Sequence, residues 1–263
     1  MPKRKPLSEL TIMSDFIFYA VMDKEERIKP LLEEVLGLKI SKIETILPQM
    51  TLKEAYEAKG VRLDVVCWDM EGNVYDIEVQ TAEKNDEGKR SRFYSGSVDV
   101  KSSMSGMKYK DIKDSYVIFI CNFDMFGRDW YVYPFQNYCD LDKEIQLNDG
   151  SHKIFVNTKG TVGNISPELK RILYYFNDGV VSDEYTEMLD EAVKHAKTKK
   201  EWIDLYAWIL NHDDMVRDEG REENAKETAR RMIARGKDTY EEIAEITGLS
   251  LKEVEVLAGV VMA

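Results

Sequence analysis

Three side chains with chemical potential stand close together in "RLDVVCWDMEGNVYDIEVQ", residues 62–80: Asp64, Glu78 and Gln80. Residues 62–68 alternate, with Arg62, Asp64, Val66 and Trp68 on one side and Leu63, Val65 and Cys67 on the other. Residues 74–80 alternate too, with Val74, Asp76, Glu78 and Gln80 sharing a face. Period-two alternation with β-branched residues predicts two strands. Asp69, Glu71, Gly72 and Asn73 are turn formers, so the loop is expected at 69–73. That hairpin sets Trp68 opposite Val74 and Asp64 opposite Glu78, with the two Cβ atoms about 5 Å apart. Carboxylates that close repel, so one must protonate or a cation must join them. The alternative is a solvated face of an edge hairpin, since antiparallel sheets often leave one face in water.

Positive charge lies just downstream. Lys89, Arg90 and Arg92 cluster at the start of a helix expected over about 88–106, with Phe93 and Tyr94 beside them. They suit a grip on phosphates, with Tyr94 assisting, and equally a solvated helix end.

The surrounding elements follow from local pattern. "SDFIFYAVM" offers Ser14 or Asp15 as a helix cap. "EERIKPLLEEVLG" spaces Ile28, Leu31, Leu32, Val35 and Leu36 helically, with Pro30 near the first turn and Gly37 as the C-terminal stop. Residues 38–50 read as extended. "DSYVIFICNF" is a continuous apolar run that predicts a buried central strand. "RDWYVYPF" and "HKIFVNTKG" are further strands, and "SPELKRILYYFNDG" is a helix capped by Ser166, begun by Pro167 and ended by Gly179. Residues 183–216 are helical, and the charged run 217–231 is a solvated helix or connector. Asp238/Glu241 and Ser250/Glu253 fit capping boxes of two short final helices. Ala244 and Gly248 before the second helix resemble a helix-turn-helix, but Glu253 and Glu255 on its reading helix oppose a duplex and favour packing or self-association.

Composition narrows the classes. The 263 residues are 43% hydrophobic, enough for a core. No apolar run approaches the roughly 18 residues of a membrane helix. "MPKRKPLSEL" lacks the apolar stretch of a signal peptide, so a cytoplasmic protein with no membrane partner is expected. Cys67, Cys121 and Cys139 have no metal spacing and read as structural thiols, while His152, His195 and His212 form no zinc or triad pattern. A net charge of −12 opposes nonspecific nucleic-acid affinity of the whole surface, though not a local basic patch.

In this order the chain resembles the PD-(D/E)XK phosphodiesterase superfamily and, more narrowly, the bacterial family of recombination-promoting nucleases and transposases. The resemblance rests on "SDFIFYAVM", "RLDVVCWDMEGNVYDIEVQ", "KRSRFYSG", "GMKYKDIKDSYVIFIC" and "ARRMIARGKDTYEEIAEITGLSLKEVEVL", which together span most of the chain. It implies an α/β restriction-endonuclease-like core, a mixed sheet flanked by helices, over residues 8–180. A helical C-terminal extension with a helix-turn-helix-like tail follows over 181–263. It implies that Asp64 and Glu78 hold Mg2+, or Mn2+ in its place, with the Val79 backbone carbonyl pointing into the same site. The third motif residue is usually Lys; here it is Gln80, as often in the narrower family. An amide orients water but carries no charge, so Lys89, Arg90 or Arg92 is expected to supply it. Asp15 resembles the first-helix acid that sometimes joins the metal, although capping explains it as well. The implied activity is Mg2+-dependent endodeoxyribonuclease cleavage linked to recombination or mobile elements. DNA is the partner, and the C-terminal helices offer a route to a homo-oligomer. The alternative is a catalytically inactive nuclease-fold protein that binds nucleic acid or protein.

Overall fold

The computed structural model describes residues 5–46, 65–102 and 108–260. Two helices come first, α1 (Asp15–Val21) and α2 (Glu25–Leu36). Ser14 is the N-cap residue of α1, though its side chain makes no capping bond. Gly37 ends α2 at φ +66°, a left-handed conformation that a residue with a Cβ adopts at a cost. Pro30 lies inside α2, further in than the first turn expected for it.

The sheet has six strands: β1 (Ile43–Ile46), β2 (Val65–Asp69), β3 (Val74–Gln80), β4 (Ser115–Cys121), β5 (Val132–Phe135) and β6 (Ser151–Asn157). Their order is β1-β2-β3-β4-β6-β5. β3, β4 and β6 run parallel, and the outer pairings β1–β2, β2–β3 and β5–β6 are antiparallel. The sheet is therefore mixed and flanked by helices, the restriction-endonuclease-like α/β architecture. α3 (Glu87–Ser102) connects β3 to β4 and packs on both.

The hairpin register is the one predicted, with Trp68 opposite Val74, Cys67 opposite Tyr75 and Val65 opposite Ile77. Asp69 belongs to β2 instead of the loop. It is buried, and its carboxylate accepts from Asn73 N at 2.9 Å, Asn73 Nδ2 at 3.0 Å and the Tyr75 hydroxyl at 2.7 Å. These bonds pin the turn, where Gly72 stands at φ +86°. β4 is buried along nearly its whole length between two parallel neighbours, as its apolar run predicts.

After the sheet come α4 (Pro167–Asp178), α5 (Glu184–Thr198), α6 (Lys200–Arg235), α7 (Tyr240–Thr247) and α8 (Leu251–Leu257). Ser166 Oγ accepts from Leu169 N and Gly179 ends α4 at φ +71°, both as expected. The chain divides into two compact units, Met1–Asp204 and Leu205–Ala263. The division falls after the residue 180 expected from sequence, because α5 belongs to the first unit. It packs on α1 and α2, and the Tyr185 hydroxyl donates to the Arg27 carbonyl at 2.5 Å. In the second unit, Ala229, Ile243, Leu249 and Val254 form a small core shared by the end of α6, α7 and α8. The capping box of α7 is Thr239–Glu242, one residue later than predicted, and Asp238 instead takes Arg235 Nη2 at 2.5 Å. Ser250–Glu253 caps α8 as expected. Among the described residues no helix is long and apolar enough to cross a membrane.

Candidate active site

The carboxyl ends of β3, β4 and β6 share one edge, where Gln80, Cys121 and Asn157 are register neighbours. Ligands of open α/β sheets bind outside those ends. Alternation along β3 puts Asp76, Glu78 and Gln80 on one face and Tyr75, Ile77 and Val79 on the other. This face is not wet: Asp76 and Glu78 are each 3% exposed, and α3 packs over β3 and β4 with Arg90 on Glu78. The solvated-hairpin alternative fails on that burial.

A buried carboxylate needs charge compensation and hydrogen bonds. Glu78 obtains both from Arg90. Arg90 Nη2 donates to Glu78 Oε2 at 2.6 Å, and Nη1 donates to Gln80 Oε1 at 2.9 Å. Gln80 Nε2 closes the triangle on Glu78 Oε2 at 3.1 Å. The guanidinium lies over the rings of Phe119 and Tyr94, 5.4 and 5.8 Å from their centroids. Phe119 is the register neighbour of Glu78 on β4, so strand pairing sets the aromatic floor beside the acid. Quadrupole attraction of this kind lets a cation sit in an apolar wall. The Tyr94 hydroxyl is 3.4 Å from Nη2.

Arg90 reaches this position because of how α3 begins. Glu87, 1% exposed, accepts from Lys84 N at 2.7 Å and from Asp86 N at 3.1 Å. A carboxylate there suits the positive end of the helix and fixes the entry of the chain. Three residues on, Arg90 points at β3, and Tyr94 follows on the same face. Lys89 and Arg92 lie on the other side and are exposed. The structure thus gathers Glu78, Gln80, Arg90 and Tyr94, and sets Lys89 and Arg92 apart from them. The side chain of Val79 is buried in the core. Asp64, expected opposite Glu78, lies outside the described residues. Asp15 opens α1 and is exposed. Sequence reading missed Glu87 and Phe119. An acid in the first turn hints at the former, whereas the latter depends on pairing between strands far apart in sequence.

The thiol beside the site is inert. Burial, with the charges of Glu87 and Glu78, raises Cys121 to about 12 against a smaller opposing effect of Arg90. It is therefore neither nucleophile nor ready ligand.

A family model described as "PD-(D/E)XK nuclease family transposase" matches residues 12–159, over half of the chain. The chain belongs to this family. Searches of curated proteins and of solved structures found no match. PD-(D/E)XK nucleases generally use divalent metals and act on DNA. The donor chemistry of the described part fits such an ion: Glu78 offers a hard carboxylate on a rigid interior strand, and both Arg90 and Gln80 contact the same oxygen, Oε2. Among the described residues no group of three or more His, Cys, Asp or Glu could hold a metal.

Proposed function

We propose that this PD-(D/E)XK family member is an endodeoxyribonuclease that hydrolyses DNA phosphodiester bonds with Mg2+, or Mn2+ in its place, in recombination or the movement of mobile elements. The observation that carries the reading is the buried Glu78–Gln80–Arg90 triangle at the carboxyl end of β3. Asp64, Glu78 and the Val79 carbonyl would hold the cation. When bound, it supplies Lewis-acid charge to the phosphate and acidifies a water. The chain's own residues do the rest. Gln80, where the motif usually has Lys, orients a water by hydrogen bonds, and Arg90 brings the fixed positive charge that an amide lacks. Phe119 and Tyr94 hold the guanidinium in place against Glu78.

The missing Lys also favours a second reading, a nuclease fold that binds DNA without cutting it. Nicking of supercoiled plasmid by purified protein separates the two. Cleavage that requires Mg2+ and vanishes in both Asp64→Ala and Glu78→Ala supports the enzyme. Inactivity of the wild type with both Mg2+ and Mn2+, alongside retained DNA binding, supports the silent binder.

A further inference from the structure

The outward face of α3 carries a basic and aromatic stripe, whose role rests on the DNA-cleaving reading. Lys89, Arg92, Phe93, Gly96 and Val100 follow one another at helical spacing and are all exposed. Phe93 is 71% exposed and Val100 77%. A large ring this open on an ordered helix buries little by folding, so packing does not explain it. Neither Lys89 nor Arg92 makes an ion pair among the described residues, although the protein carries 49 acids against 37 bases. Gly96, one turn beyond Phe93, has open space where a Cβ would stand. Asp99 takes a side-chain hydrogen bond from Ser115 on β4, and the loop before the helix carries the exposed acids Glu83 and Asp86.

We propose that this stripe binds single-stranded DNA, with a base stacked on Phe93 and its flanking phosphates on Lys89 and Arg92. An aromatic between two cations suits an unpaired strand: a duplex hides the base faces and leaves the ring nothing to stack on. A single ring contact links the stripe to the candidate active site, which lies on the opposite face of α3. Phe93 packs edge-on against Tyr94, centroids 6.1 Å apart, and Tyr94 lies beneath Arg90 on the inner face. The substrate class is therefore DNA with an unpaired segment, such as a displaced strand, a flap or a melted end.

The test is fluorescence anisotropy of full-length protein with a labelled single strand and with the duplex of the same sequence. EDTA is present throughout, so that cleavage plays no part. Wild type should prefer the single strand. Phe93→Ala should weaken single-strand binding about tenfold and change duplex binding less than about twofold. Phe93→Tyr should restore it. Lys89→Ala and Arg92→Ala should weaken binding to both forms and flatten the salt dependence. A wild type that prefers the duplex or binds neither form, or a Phe93→Ala variant that leaves single-strand affinity unchanged or weakens both forms equally, overturns the proposal. Since the readout needs no chemistry, a protein that cuts neither plasmid nor a single strand with Mg2+ or Mn2+ yet shows the Phe93 effect sinks the nuclease reading and keeps this one.

Discussion

Two regions pair arginine with carboxylate in opposite surroundings. At β3 and α3, Arg90 and Glu78 meet at 2.6 Å with their side chains 8% and 2% exposed. Along α6, Arg217–Asp214, Arg221–Asp218 and Arg231–Glu227 are each paired about one turn apart, at 2.7, 3.7 and 2.8 Å, and the last two pairs stand in the open. Arg217–Asp214 and Arg231–Glu227 lie within 0.2 Å of the buried pair's length, so geometry alone does not separate them. Solvent does. Water screens the α6 pairs and offers each partner a substitute, whereas Glu78 without Arg90 would be an ion in a core. Charge on α6 keeps a long helix solvated; charge at β3 commits the fold to one arrangement of acid, amide and cation.

The largest expected effect follows from that burial. Arg90→Met leaves Glu78 buried without its guanidinium and should cost about 3–5 kcal/mol in urea denaturation. Adding Glu78→Leu should return most of it, giving a large coupling in a double-mutant cycle. A loss below about 1 kcal/mol would place this pair with the exposed ones and end the contrast. If Glu78 also holds a divalent cation, Mg2+ should raise the denaturation midpoint of Arg90→Met more than that of wild type, because it replaces the missing charge.

The sequence made the local parts of this site readable and left the long-range parts dark. Turn residues and strand alternation set the register of Trp68 opposite Val74. Ser166, Pro167 and Gly179 marked both ends of α4, since caps are local chemistry. The identity of the cation was only half legible. Lys89, Arg90 and Arg92 look alike in composition, and helical phase decides among them: Arg90 shares a face with Tyr94 and Val98, which are buried, while its neighbours do not. Phe119 could not be foreseen, because its place beside Glu78 is a parallel pairing across an intervening helix. Asp69 read as a turn former for its type and proved a buried acceptor of three bonds. Pattern marks where chain direction changes, but burial comes from what packs on top.

Asp124, in the loop after β4, tests the middle of the scale. Burial alone would raise its pKa. Hydrogen bonds from the Tyr133 hydroxyl and from the backbone N–H groups of Asp129, Phe126 and Gly127 outweigh that and hold it below the usual carboxylate value. The Tyr133 and Asp129 contacts are 2.7 and 2.6 Å. A depressed folded pKa means that the ionised form stabilises fully above the unfolded value of about 3.9 and is lost as pH falls through the folded one. Asp124→Asn should therefore cost about 1–2 kcal/mol at neutral pH, and the gap from wild type should narrow as pH falls below the unfolded value. A gap constant with pH would mean that shape, not charge, holds the loop.

The smallest effect is expected on α6. Arg231→Ala removes the pair with Glu227 but keeps helix propensity, since alanine is the better helix former. Stability of the helical signal in far-UV circular dichroism should change by less than about 0.5 kcal/mol, and less again in high salt. A loss above about 1 kcal/mol that persists in salt would show that Arg231 is held by something other than Glu227. The contrast with Arg90 would then rest on contacts made rather than on water excluded. A near-zero result, beside a large Arg90 effect, assigns the difference to desolvation, because both pairs have ordinary hydrogen-bond lengths and only one of them has lost its solvent.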